Sequence, residues 1–154
     1  MAEYQKYSVA LLDQTITAAG GYICHLLAPA AATKVTVRLK YIEVDAADRC
    51  QFRVGYASAV ANNGTAALPA SNPEQSTRGS IAKVYKDTAV ISLTENAADS
   101  DLRAVRPAAD VPIPWEFEDD HIVMKPGGSI YIYAKSDANT TGSFCIEWIE
   151  ESRP

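Results

Sequence analysis

Residues 122–133 read Ile-Val-Met-Lys-Pro-Gly-Gly-Ser-Ile-Tyr-Ile-Tyr, and residues 143–149 read Ser-Phe-Cys-Ile-Glu-Trp-Ile. In the first stretch Pro126 presets φ and the glycine pair Gly127-Gly128 supplies positive φ, so the chain turns there. Ile130, Ile132 and Ala134 then alternate with Tyr131, Tyr133 and Lys135. In the second stretch Phe144, Ile146 and Trp148 alternate with Cys145, Glu147 and Ile149. A period of two is the signature of a strand with one face in a core. With the turn-forming run Asp137 to Gly142 between them, the two are expected to form a terminal hairpin.

The same period recurs upstream. Between Thr33 and Asp45, Val35, Val37, Leu39 and Tyr41 share one parity, and Ile42 and Val44 take the other. That slip predicts a bulge near Tyr41–Ile42, or a strand buried on both sides. Ala46-Ala47-Asp48 reads as the turn into a strand carrying Phe52, Val54 and Tyr56, giving a second expected hairpin. Before it, Tyr7-Val9-Leu11, Thr15 to Ala18 and Tyr22 to Leu27 read as two or three short strands. Residues 62–79 are rich in Asn, Gly, Ser, Pro and Ala and read as a long loop, a candidate contact region. Strands return at Ile81 to Tyr85 and Thr88 to Thr94. Asp99-Ser100-Asp101 suggests the cap of a short helical turn. Val111-Pro112-Ile113-Pro114 fits only an extended edge segment, because each proline lacks the ladder N–H. About eight to ten short strands with almost no helix predict an all-β chain: an antiparallel β-sandwich, jelly-roll-like, forming a single domain over residues 1–154 with an N-terminal arm at 1–7.

Composition supports this. Of 154 residues 47% are apolar, but 25 of these are alanine; Val and Ile number 22 against 8 Leu, and 10 Thr add to the β-branched excess. Branching at Cβ suits a pleated surface better than a helix. No apolar run approaches the ~20 residues of a membrane-spanning helix, so no membrane partner is expected. The net charge of −5 is uneven: residues 1–53 and 54–94 each carry +1, and residues 95–154 carry −7. Without a basic cluster to neutralise phosphates, nucleic acid is not an expected partner. The acidic segment reads as a solvated surface, or as a docking face for a basic partner. Cys24, Cys50 and Cys145 are odd in number and far apart, and the polar N-terminus lacks the pattern of a signal peptide, which together suggest folding in a reducing cytosol. Asn63-Gly64-Thr65 and Asn139-Thr140-Thr141 then read as turns rather than glycosylation sites.

Catalytic signals are sparse. Cys24-His25 are adjacent on a strand and so point to opposite faces, which favours a satisfied histidine over a ligand pair. His121 follows Glu116, Glu118, Asp119 and Asp120, but without EF-hand or finger spacing. No G-x-S-x-G elbow marks a serine, and neither glycine pair has the ending of a phosphate loop. Carboxylate pairs such as Glu147 with Glu150, or Glu116 with Glu118, occur in any acidic β protein. The expectation is therefore no enzyme, with no catalytic, cofactor or metal residues assigned. Tyr131 and Tyr133 share the face opposite Ile130 and Ile132, and three uses are open for them: packing within the chain, a subunit interface, or a ligand platform.

The run Ile122 to Tyr133, followed by Cys145-Ile146-Glu147-Trp148-Ile149-Glu150-Glu151, resembles the closing hairpin of small β-sandwich virion proteins of tailed bacteriophages. The likeness covers about a fifth of the chain and rests on the Lys-Pro-Gly turn, the Tyr/Ile strand and the Glu-Trp ending. It implies a capsid decoration or cement protein located on the virion surface and assembled in the host cytoplasm. It further implies the major capsid protein as partner, a homo-oligomer with a trimer favoured, and no catalytic residue. The arm and the 62–79 loop would then reach neighbouring capsid subunits. A tail-fibre, receptor-binding or carbohydrate-binding module is the alternative.

Overall fold

A computed structural model describes residues 3–62, 65–67, 70–71, 80–86, 91–95, 101–105, 107–117 and 122–152. Thirteen strands lie among them: β1 (Glu3–Ile16), β2 (Gly21–Leu27), β3 (Val35–Ala46), β4 (Cys50–Asn62), β5 (Thr65–Ala67), β6 (Ala70–Ser71), β7 (Lys83–Lys86), β8 (Ser92–Glu95), β9 (Asp101–Val105), β10 (Ile113–Glu116), β11 (Ile122–Val123), β12 (Ser129–Ser136) and β13 (Thr140–Ser152). Apart from strands, the described residues hold one 3-10 turn at Ala31–Thr33. All pairings are antiparallel, in two sheets. The first runs β10-β3-β13-β1-β6 with β11 also on β3; the second runs β5-β7-β2-β12-β4-β8 with β9 also on β4.

The strand order is that of a jelly roll. The last strand, β13, lies between β1 and β3, and the one before it, β12, lies between β2 and β4. The two expected hairpins are therefore not hairpins. β3 and β4 are in opposite sheets, as are β12 and β13, and each short connection turns a corner from one sheet to the other. The corners are Ala47–Arg49 and Asp137–Asn139, three residues each. Three residues reach about 10 Å, which is the spacing of packed sheets. An arch of this length lets both apolar faces meet across the core, whereas a hairpin would set them side by side.

Inner faces follow the sequence alternation. Val37, Leu39, Ile42, Val44, Phe144, Ile146 and Trp148 from the first sheet meet Leu26, Phe52, Val54, Ile130, Ile132 and Ala134 from the second, all buried. The phase slip in β3 is a bulge: Tyr41 opposes Glu147 and Leu39 opposes Trp148, leaving Lys40 as the extra residue. Another bulge in β1 makes one strand of the two expected there. Leu11 opposes Phe144 and Gln14 opposes Gly142, with Asp13 at φ 54° between them, so Leu11 and Ile16 both reach the core despite opposite parity. From Glu3 on, the expected N-terminal arm is the start of β1, paired along β13, with Gln5 and Tyr7 buried. Asp101 belongs to strand β9 and not to a helical turn. The prolines do mark an edge, since β10 carries Pro114 on the rim of the first sheet. Within the 62–79 segment, β5 pairs with β7 of the second sheet and β6 with β1 of the first, so this stretch crosses between sheets; its other residues from 63 on lie outside those described.

One residue on the core face of β13 is charged. Glu150 is fully buried, in phase with Trp148 and Ile146. Its Oε1 accepts from the Ile81 amide at 2.9 Å, and its Oε2 accepts from the Ala82 amide at 3.2 Å, the Trp148 indole N–H at 3.0 Å and the Ser80 hydroxyl. Residues 80–82 lead into β7, so this carboxylate ties the central strand of the first sheet to the second. Hydrogen bonds to a charged group contribute about 1.5–3 kcal/mol each, and removing the acceptor strands every donor. Glu150→Ala is expected to cost at least about 3 kcal/mol of unfolding free energy and Glu150→Gln less, because the amide oxygen keeps one acceptor. Urea denaturation of the two variants measures both.

Candidate functional site

The outer face of the second sheet carries most of the chain's unusual chemistry. β12 sets Ser129, Tyr131 and Tyr133 outward, opposite core-facing Ile130 and Ile132. Its neighbour β2 places His25 against Tyr131 and, through a bulge at Ile23, Tyr22 against Tyr133. Without that extra residue Tyr22 would share the parity of Cys24 and point into the core; the bulge re-aims it outward. On the other side, β4 supplies Arg53 opposite Tyr133 and Gly55 opposite Tyr131.

These side chains form a continuous layer. The Tyr22 ring meets Tyr131 edge-on at 5.1 Å and Tyr133 at 5.8 Å between centroids. The Arg53 guanidinium sits 4.3 Å over the Tyr133 ring. Glu95 of β8 accepts from the Tyr22 hydroxyl at 2.7 Å and pairs with Arg53 at 3.3 Å. Burial pushes the Glu95 carboxyl up, but the hydrogen bonds from Tyr22 and Arg53 and the Arg53 charge outweigh it and hold the group below the usual carboxylate range. Burial first, then the Glu95 contact, raises the Tyr22 phenol. Further along the sheet His25 stacks on Tyr85 of β7 at 5.4 Å, with its Nδ1 2.6 Å from the Ser129 hydroxyl.

Two glycines make room for the layer. A Cβ on Gly55 would stand 2.2 Å from the Tyr131 hydroxyl oxygen, and one on Gly20 would stand 2.1 Å from that of Tyr133. Tyr131 has 0% of its surface exposed in a single chain, so of the three uses open for this face it takes the first, packing within the chain. Tyr22 and Tyr133 are half-buried.

The other sequence candidates are dispersed. Cys24 lies in the core and His25 outside it, as adjacent strand residues must. The Ser129–His25 contact has the geometry of a nucleophile and base, yet both residues are completely buried, out of reach of a substrate. Burial holds the Cys24 thiol up at about 12, and burial aided by nearby carboxylates raises Cys50 and Cys145, so none is a ready thiolate. Glu147 and Glu150 lie on opposite faces of β13. Glu116 is exposed on β10, while Glu118, Asp119, Asp120 and His121 lie outside the described residues. Among the described residues no group of three or more His, Cys, Asp or Glu is arranged to hold a metal. Sequence reasoning missed Tyr22, Arg53, Gly55, Glu95 and Ser129; the one local signal was Gly55, a glycine inside a strand pattern, which marks a close approach.

Gly55→Ala is expected to cost about 1–3 kcal/mol by overpacking against the wedged Tyr131 ring, measured by thermal or urea unfolding. Glu95 tests the polar part of the layer. Its folded value is below its unfolded one, so its stabilisation is present above about 4.5 and is lost as pH falls through the folded value. Wild type should therefore exceed Glu95→Gln by up to about 1 kcal/mol at neutral pH, with the gap narrowing as the pH falls below the ordinary carboxylate value in parallel urea titrations.

No family model matches the sequence, and no curated protein matches it. Among solved structures, the whole chain aligns with 42% of a chain from the structure of infectious bursal disease virus Gx strain, at 9% identity and a TM-score of 0.17; a likeness at that score carries no argument.

Proposed function

We propose that the chain is a structural protein of a phage virion, of the capsid decoration or cement type, which binds the major capsid protein by surface complementarity. The observation that carries this reading is how the polar and aromatic groups are used. The tyrosine layer, the His25–Ser129 contact and the Glu150 clip are spent on holding the sandwich together. Jelly rolls serve as capsid and lectin domains alike. A glycan platform needs ring faces laid open to solvent, whereas here Tyr131 is sealed and Tyr133 is capped by Arg53. Together with the C-terminal likeness to virion proteins, this favours a body built for contact over a body built around a pocket.

The test is co-sedimentation of the purified chain with empty capsids assembled in its absence, alongside a glycan-binding screen. Saturable binding to capsids and a rise in capsid melting temperature are the expected results. A chain that ignores capsids and binds glycans would overturn the proposal in favour of a receptor-binding or carbohydrate-binding module.

A further inference from the structure

Both sheet-crossing corners, Ala47–Arg49 and Asp137–Asn139, lie at one end of the sandwich, and a recess opens on each side of them. On the first-sheet side a recess of about 160 Å³ is lined by Asp13, Asp45 and Asp110 with Thr141 and Ser143, and no lysine or arginine. On the second-sheet side a recess of about 250 Å³ is lined by Arg49 and Lys135 with Gln51, Ser136 and Asp137. Both fall below the ~300 Å³ at which small-molecule pockets begin, and each has the size of a side chain. The frame around them is fixed: the Ala47 amide donates to the Thr141 carbonyl at 3.0 Å, the Asp110 amide to the Ala46 carbonyl at 2.9 Å, and Lys135 pairs with Gln51 across β12 and β4.

None of Asp13, Asp45, Asp110, Arg49 and Lys135 makes an ion pair among the described residues, whose two salt bridges are Arg38–Glu151 and Arg53–Glu95. Beside the acidic recess stand two large apolar side chains turned to solvent, Leu12 next to Asp13 at 70% exposure and Val111 next to Asp110 at 43%. The same end thus offers three carboxylates, two cations without an ion pair among the described residues, and an apolar rim.

We propose that this end of the sandwich is a self-association surface, on which the acidic recess of one copy receives Arg49 and Lys135 of a second. A second copy fits better than a foreign basic partner, which would satisfy the carboxylates and leave the cations unmatched. Two recesses of opposite sign on one molecule are brought onto each other by a simple rotation, the condition for a closed symmetric contact. The aliphatic stems of the basic side chains would cover Leu12 and Val111 while their heads reach the carboxylates. The contact belongs to this chain alone and does not depend on the capsid reading.

Sedimentation velocity of the full chain over a concentration series, at low salt and at about 1 M salt where the screening length falls to ~3 Å, reads it directly. Wild type should associate at low salt and dissociate at high salt. Asp45→Lys or Lys135→Glu alone should weaken association by about tenfold or more, and the double variant Asp45→Lys/Lys135→Glu should recover most of it. Arg49→Glu, on an exposed corner, should give the same loss and stands in if circular dichroism shows that Asp45→Lys fails to fold. A wild-type chain that stays monomeric throughout, association indifferent to salt, single variants that associate like wild type, or a folded double variant that does not recover would each overturn the proposal.

Discussion

A carboxylate buried between two β-sheets is tolerable only if its oxygens are met by donors, and Glu150 meets this condition with groups from both sheets. The Trp148 indole N–H and Glu150 are two residues apart on the same face of β13, so the strand itself supplies one donor. Two amides and a hydroxyl come from residues 80–82, which the carboxylate thereby holds at the entry to β7. Beside them on β1, Gln5 opposes Glu150 and Tyr7 opposes Trp148, with the Tyr7 ring stacked on the indole at 5.9 Å and its hydroxyl donating to Gln5 Oε1 at 2.7 Å. A polar corner of the core is thus closed by side chains that have few other arrangements. An apolar residue at 150 would fill the space but leave the 80–82 amides unmet, and the second sheet would lose the anchor for its β7 side.

That corner depends on strand order. β12 and β13 are the last strands made, yet each is the central partner of two early strands, so neither sheet is whole until the C-terminal third of the chain is in place. Pairings of such long range are slow to find and hard to read. What was legible locally was right: the inward and outward faces of β12 and β13, the bulge in β3, and the prolines at an edge all follow from period-two alternation and the missing proline N–H. Partner choice was not legible. Ala46-Ala47-Asp48 and Asp137 to Gly142 carry the residues of a tight turn, and turn residues do not say whether the next strand pairs beside the last or crosses to face it. The β1 bulge was hidden too, since Leu12-Asp13 looks like a break between short strands rather than two residues facing one.

The outer layer of the second sheet divides the same way. Alternation alone put Tyr131 and Tyr133 on one outward face. Their partners sit on other strands, and the bulge that turns Tyr22 to join them occupies a run, Tyr22-Ile23-Cys24, with nothing in it to mark an irregularity. Ser129 and His25 are 104 residues apart and meet only because β12 docks on β2. A glycine inside a strand, Gly55, was visible from the start, but its meaning needs the ring that lies across it.

Aromatic side chains on the outside of a sandwich invite the inference that another subunit must cover them. Here the cover is internal. Tyr22, Tyr133, Arg53 and Glu95 close over Tyr131, and Tyr85 closes over His25, so the second sheet has a small second core of its own. The outer face of the first sheet is charged instead, with the Tyr41 hydroxyl donating to Glu43 at 2.6 Å and Arg38 bridging to Glu151. Among the described residues neither broad face leaves a large apolar surface that assembly must hide. At the end of the sandwich where the chain crosses between sheets, carboxylates and cations without ion pairs among the described residues stand in separate recesses. Contacts between copies there would be electrostatic, and so weakened by salt.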